Sequence, residues 1–193
     1  MTFTERKFNI PTLKDISDTT ITEHLKLYSG YVKHANLIQE KINELSSDLE
    51  KNTYMIGELR RRFGFEFDGM KNHEYYFEQF EGGAEPLDTS STLHAEITKQ
   101  FGSFDTWLNL FKQTAMTRGI GWAMLYFDPE TNSLLNTWVD EQHLGHLTSL
   151  KVILALDMWE HSYMLDLPPS EKKKYVEAFF NNLNWTIVSK RFN

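Results

Sequence analysis

The 193-residue sequence contains no cysteine. This absence excludes disulfide bonds, thiolate zinc sites, iron–sulfur clusters and a cysteine nucleophile. Any metal site must therefore use histidine and carboxylate ligands, a set that suits iron, manganese, zinc or copper. With 40% hydrophobic and 14% aromatic residues, the chain still has the composition of a globular protein with a buried core.

The sequence also lacks a long apolar run and an excess of positive charge. No stretch of about 18 apolar residues occurs, and residues 1–8 contain no apolar segment of the signal-peptide kind. We therefore expect no membrane span and a cytoplasmic location. The net charge of −7 argues against general binding of nucleic acid, and it provides no overall attraction for an anionic substrate.

The first half of the chain has the apolar spacing of helices. Residues 17–50 predict one long helix that starts near Ser17 and that Ser29-Gly30 can bend or break. Two further helices are predicted at residues 54–63 and 72–80, with a loop at residues 64–69 between them. Together these elements predict a helical hairpin.

The second half mixes helices and strands. The predicted helices are residues 93–101, 104–117 and 171–182, and the predicted strands are residues 119–126, 134–139 and 152–156. Three strands joined by turns predict an antiparallel sheet. The fold class is therefore α+β, with an N-terminal helical hairpin domain at residues 1–86 and a C-terminal α/β domain at residues 87–193.

Several polar side chains are candidates for metal ligands. Asp157 and His161 follow a predicted buried strand and are four residues apart, so on a helix both would lie on one face. A carboxylate oxygen and an imidazole nitrogen can then reach one metal ion. At this level Asp157 can equally cap a helix. His24 and His73 can each be either a ligand or a packed imidazole, and His34 is predicted to be exposed.

The string Asp157-Met-Trp159-Glu160-His161-Ser-Tyr163 resembles the D-x-W-E-H-A-Y signature of the iron/manganese superoxide dismutase family. Further matches are Asn72-His73 with the aromatic residues that follow His73, residues 119–126, and the C-terminal sequence at residues 175–185. The resemblance extends from about residue 16 to residue 192 and is strongest from Gly119 onward.

This resemblance implies an oxidoreductase with one iron or manganese ion per chain. The ion would convert superoxide to dioxygen and hydrogen peroxide by changing its oxidation state. The implied ligands are His24, His73, Asp157 and His161.

The resemblance also implies roles around the metal. Tyr31 would guard the substrate entrance and help to deliver protons. In the family a glutamine hydrogen-bonds the metal-bound solvent, and one of its two usual positions is Gly69 here. The other position falls on Gln142 or, with a slip of one residue, on His143. The two would differ in exposure if they alternated on a strand.

Five more residues would surround the metal or line the interface of a homodimer. They are Tyr28, Trp122, Trp159, Glu160 and Tyr163. Trp122 would form a wall of the pocket, and Glu160 would meet the partner's His161 across a two-fold axis. Tyr28 replaces a family histidine that pairs with a tyrosine of the neighbouring subunit, which puts that pairing in doubt.

Two other functions remain open. A non-haem iron oxygenase would use two histidines and one carboxylate, so a third imidazole ligand would argue against it. A relative that binds metal without turnover is favoured only by Tyr28 and by the short spacing from His24 to Tyr31, seven residues where the family usually has eight. The choice of iron or manganese, a dimer or a tetramer, and the turnover rate are not determined by the sequence.

Overall fold

A helical hairpin precedes a three-stranded sheet in the computed structural model, which describes residues 2–192. The hairpin consists of α1 (Asp18–Leu45) and α2 (Leu49–Glu78), joined by a 3-10 turn. Ser17 is the N-cap of α1, because its side chain accepts a hydrogen bond from the backbone N–H of Thr20. One stripe of α1 packs inward at helical spacing and carries His24 and Tyr28 among apolar residues.

The predicted loop at residues 64–69 is wrong, because α2 continues through it as one helix of 30 residues. The helices predicted at residues 54–63 and 72–80 are parts of this one element. A glycine inside a helix costs only about 1 kcal/mol relative to alanine, and packing of α2 against α1 offsets that cost. Likewise α1 runs through Ser29-Gly30 without ending there.

The sheet consists of β1 (Gly121–Asp128), β2 (Ser133–Asp140) and β3 (Lys151–Asp157). All strands are antiparallel, in the order β2-β1-β3, so β1 is central and almost fully buried. The predicted strands and the α+β fold class are confirmed. Because Trp122 pairs with Asp157 in the register of β1 and β3, the sheet sets an indole opposite a carboxylate at the end of β3.

Four shorter helices pack around the sheet: α3 (Thr92–Phe101), α4 (Phe104–Ala115), α5 (Lys172–Asn182) and α6 (Trp185–Phe192). The first three agree with the predicted helices, whereas α6 was not predicted. Among residues 2–192, no helix is both long enough and apolar enough to cross a membrane. The domain division at residue 86 stays a prediction.

Candidate metal centre

Four predicted ligands come together from four different elements. His24 lies on α1, His73 on α2, Asp157 at the end of β3 and His161 in a 3-10 turn, Glu160–Ser162. One potential ligand atom from each residue lies within 4.8 Å of the other three. Asp157, His24 and His73 are fully buried, and the His161 side chain is 21% exposed. The cluster therefore has one side close to the protein surface.

The segment after β3 explains how Asp157 faces the histidines. The chain forms one 3-10 turn there, so the helix considered for Asp157 and His161 is not formed. The Oδ1 atom of Asp157 accepts a hydrogen bond of 2.8 Å from the backbone N–H of Trp159. Its Oδ2 atom is left to face the imidazoles, at 3.0 Å from His24 Nε2, 3.1 Å from His161 Nε2 and 3.6 Å from His73 Nε2.

The hydrogen bond and the burial of His73 make this cluster suitable for a cation. Nδ1 of His73 lies 2.6 Å from the carbonyl oxygen of Gly69, so Nδ1 carries the hydrogen and donates it. Burial lowers the pKa of His73 to about 3, so the ring is neutral and its Nε2 bears a lone pair. That Nε2 is buried without a hydrogen-bond partner and faces the oxygen of Asp157. A cation between the two lone pairs would satisfy both atoms.

The distances also fit a single ion. Nitrogen and oxygen ligands at about 2.0–2.2 Å from a metal lie roughly 2.8–3.8 Å apart when the angle between them is about 90–120°. All three distances to Asp157 Oδ2 fall in this interval. Burial also lowers the pKa of His24. For Asp157, burial acts to raise the pKa, but the nearby His161 and His24 outweigh it and keep the pKa below its usual range. Neutral imidazoles and an ionised carboxylate are the forms that bind metal.

A chain of hydrogen bonds lies beside the cluster. Gln142 is fully buried, its Nε2 donates to the hydroxyl of Tyr31 over 3.0 Å, and its Oε1 accepts from Trp122 Nε1 over 2.9 Å. The rings of Tyr31 and Trp122 lie 5.0 Å and 5.1 Å from the ring of His73. The amide of Gln142 therefore connects two rings that both pack against a candidate ligand.

Gln142 and His143 differ in their surroundings. Both residues lie in a turn after β2 and not on the strand itself. Gln142 points inward to Tyr31, whereas His143 is partly exposed and its ring lies 5.6 Å from that of Phe65. Of the two, Gln142 is the residue that the structure joins to Tyr31.

Two further residues contact the backbone carbonyl of Gln142. Asn72 Nδ2 donates to the backbone carbonyl of Gln142 over 2.9 Å, and His146 Nε2 lies 3.1 Å from the same oxygen. Nδ1 of His146 lies 2.6 Å from the hydroxyl of Tyr126. Asn72 could have been found from its place beside His73 in the sequence. The role of His146 could not have been found in the sequence, because no pattern relates it to Gln142.

The remaining predicted residues occupy distinct places. The hydroxyl of Tyr28 accepts from the backbone N–H of Arg6 and donates to Glu74, which ties the N-terminal arm to α2. Trp159 stacks on His161 with ring centroids 5.7 Å apart. Tyr163 is buried against Tyr175, and Glu160 is exposed.

A helical hairpin and an antiparallel sheet here bring three imidazoles and a carboxylate within reach of one ion, which is the arrangement of a mononuclear metal centre with nitrogen and oxygen ligands. Residues 89–191 match the family model of the C-terminal domain of iron/manganese superoxide dismutases. The chain is 34% identical to a superoxide dismutase (Fe) of Saccharolobus solfataricus, over 92% of this chain and 84% of the relative. The chain therefore belongs to the iron/manganese superoxide dismutase family.

Other relatives carry different metals in their names. A superoxide dismutase (Mn/Fe) of Aeropyrum pernix is 33% identical over 87% of this chain and 78% of its own length. A superoxide dismutase (Mn) of Halobacterium salinarum is 32% identical over 92% of this chain and 86% of its own length. Relatives of similar overall identity to this chain are thus named for iron, for manganese or for both metals.

Proposed function

We propose that this protein is a superoxide dismutase that holds one iron or manganese ion per chain between His24, His73, Asp157 and His161. The observation that carries the proposal is the neutral, buried His73, whose bare Nε2 faces Asp157 Oδ2 at 3.6 Å. When bound, iron or manganese supplies the change of oxidation state by which one superoxide becomes dioxygen and a second, with two protons, becomes hydrogen peroxide. Relatives named for both metals support either ion.

Tyr31 is the residue proposed to deliver protons. Its oxygen accepts the hydrogen bond from Gln142 Nε2, so its own hydrogen is not used in that bond and can point at a substrate. Burial raises the pKa of Tyr31, which keeps the phenol protonated near neutral pH. In this proposal Gln142, and not His143, orients the phenol, while Trp122 forms the wall behind the amide.

The two alternative functions receive less support. The cluster contains a third imidazole, which a two-histidine, one-carboxylate oxygenase lacks. The seven-residue spacing from His24 to Tyr31 does not remove Tyr31 from the cluster, since its ring is 5.0 Å from that of His73. A relative that binds metal without turnover is therefore also not favoured.

We also propose that the surface beside His161 forms a homodimer. Three apolar side chains around this partly exposed ligand are themselves exposed: Leu27 by 42%, Met164 by 48% and Leu165 by 60%. A second copy would cover these side chains, and Glu160 would reach the partner's His161. Trp159, stacked on His161, would hold that ligand from its own chain. The cytoplasmic location stays a prediction.

The test is metal analysis with superoxide turnover after loading the protein with iron and with manganese separately. We expect one ion per chain and fast turnover with at least one metal. His73→Gln should lose metal and turnover together, whereas His34→Gln, whose side chain is 55% exposed, should keep both. If the folded native chain bound neither metal, the proposed site would be refuted. Stoichiometric metal without turnover would refute the dismutase activity alone.

A further inference from the structure

The free edge of β3, the strand that ends in Asp157, is covered by side chains instead of another strand. β3 pairs only with β1, so every second residue of β3 turns its backbone groups away from the sheet. Each of three such residues receives a side-chain hydrogen bond. Arg191 Nη1 donates to the carbonyl of Ile153 over 3.2 Å, and Ser162 Oγ donates to that of Asp157 over 3.1 Å.

The middle residue of this edge is held twice by Gln79. Gln79 Nε2 donates to the carbonyl oxygen of Ala155 over 2.8 Å, and Gln79 Oε1 accepts from the Ala155 N–H over 2.9 Å. Gln79 is fully buried and follows directly after the last residue of α2. Its amide therefore fills the place that a neighbouring strand would take.

Gln79 in turn is fastened to α2 and α6. Arg191 Nη1 lies 3.3 Å from Gln79 Oε1, and Arg191 Nη2 donates to the carbonyl of Tyr75 over 2.9 Å and to Glu78 over 2.7 Å. The amide of Gln79 thus belongs to a hydrogen-bonded joint between the end of α2 and the edge of β3.

This joint connects two parts of the metal centre. His73 lies six residues before Gln79 on the same chain segment, and Asp157 lies two residues after Ala155 on β3. Ala155 and Asp157 also project to the same face of the strand. Outside the metal centre, the pair Gln79–Ala155 is a direct polar link between the elements that carry His73 and Asp157.

We propose that Gln79 is a positioning residue for the metal centre: its amide fixes the edge of β3 to α2 and so sets Asp157 against His73. The proposal rests on the proposed metal site. Groups that hydrogen-bond the ligands directly affect metal affinity by about 10–100-fold, and Gln79 acts one step further out, through the backbone of β3. Removal of the amide should therefore loosen the Asp157 carboxylate relative to the imidazoles and weaken metal binding.

The opposite edge of the sheet provides a control of the same chemistry. Gln100 Nε2 donates to the carbonyl of Leu134 on β2 over 2.6 Å, and Gln100 Oε1 accepts from the Leu134 N–H over 2.7 Å. No member of the His/Asp cluster lies on β2. Because Gln100 is exposed, Gln100→Leu should cost less stability than Gln79→Leu. Leu93→Ala, in the core on α3, provides a second control with a larger loss of stability.

The experiment measures the apparent Kd for manganese(II) by competition with a chelator, in parallel with thermal unfolding, on full-length protein. Gln79→Leu should raise this Kd by about tenfold, the lower end of that range, and shift the visible absorbance of the oxidised manganese form. Gln100→Leu and Leu93→Ala should keep the Kd within about twofold of the native value, whatever their melting temperatures. If Gln79→Leu does not fold, Gln79→Glu replaces it, since a carboxylate still accepts from Ala155 N–H and Arg191 but opposes the Ala155 carbonyl.

The outcomes separate this proposal from the proposed function. If native protein binds manganese and the Gln79 variant binds it as tightly as the two controls do, Gln79 only stabilises the fold and the positioning role is overturned. If Leu93→Ala weakens binding as much as the Gln79 variant does, the effect follows global stability and the role is again overturned. If native protein binds no manganese or iron, the metal centre itself is refuted and the positioning role with it.

Discussion

The ring of Tyr31 fills the space in which a side chain at Gly69 would begin. A Cβ atom built on Gly69 would lie 2.6 Å from Cδ1 and 2.7 Å from Cε1 of Tyr31, too close for any real contact. The glycine thus allows α1 and α2 to approach until Tyr31 packs beside His73. The same contact leaves no room for a glutamine at position 69, and the amide beside Tyr31 comes from Gln142 instead.

Gly69→Ala should therefore disturb Tyr31. If the ring stays in place, overpacking should lower the free energy of unfolding by about 1–3 kcal/mol, and if it moves, turnover should fall. Gly57→Ala on the same helix is the control, because a Cβ there meets no atom within 4 Å. It should be neutral or stabilising by up to about 1 kcal/mol. Urea unfolding and superoxide turnover, measured on both variants, test this prediction. Equal results for Gly69→Ala and Gly57→Ala would contradict the close contact.

Tyr31→Phe should reduce turnover without loss of metal. The phenylalanine keeps the ring but cannot donate a proton, so turnover should fall by up to about a hundredfold if water does not replace the phenol. Metal content should be unchanged, because the hydroxyl is not among the candidate ligands. Tyr54→Phe, at a side chain that is 78% exposed, should behave like the native protein. Native turnover in Tyr31→Phe would show that protons arrive by another route.

The metal-free protein should lose stability as the pH falls below about 6.5. Burial lowers the pKa of His73 from 6.5 in the ordinary state to about 3 in the folded protein. Between these two pKa values His73 is protonated in the unfolded chain but neutral in the folded chain. The free energy of unfolding is therefore highest above pH 6.5 and decreases as the pH falls toward 3. Between pH 7 and pH 5 His73 contributes a loss of about 2 kcal/mol, and His24 acts in the same direction.

Urea unfolding of metal-free protein at pH 7 and pH 5 measures this loss. His73→Gln should reduce the difference between the two pH values by about 2 kcal/mol. Gly57→Ala, which removes no titratable group, should leave the difference unchanged. A native protein equally stable at both pH values would show that His73 and His24 titrate normally.

Metal loading should stabilise the protein through Asp157. A ligand present at about a thousand times its Kd adds about 4 kcal/mol to the free energy of unfolding when it binds only the folded state. Asp157→Asn removes the only carboxylate of the cluster, so added manganese or iron should raise its melting temperature little. Asp105→Asn, at an exposed position on α4, should respond as the native protein does. Equal stabilisation of all three proteins would place the ion elsewhere.

Local sequence patterns predicted much of the fold because they report short-range physics. Helical spacing in α1 and the apolar runs of β1 to β3 each follow from which side of an element is buried. The prediction failed at residues 64–69, where glycines suggested a loop. Gly69 instead allows α2 to pack against Tyr31, and no local pattern distinguishes this use of glycine from a loop.

The sequence by itself determined the chemistry available to this protein. The lack of cysteine and the sequence around His73, Asp157 and His161 already indicated a metal site with histidine and carboxylate ligands. Tertiary structure alone decided which atoms meet: Gln142 and not His143 at Tyr31, and Gln79 on the edge of β3. The physical reason is that Gln79 and Ala155 lie 76 residues apart, and Tyr31 and Gln142 lie 111 residues apart. A hydrogen bond between such distant residues leaves no periodic trace along the chain, and only the packing of helices against the sheet brings its two atoms together.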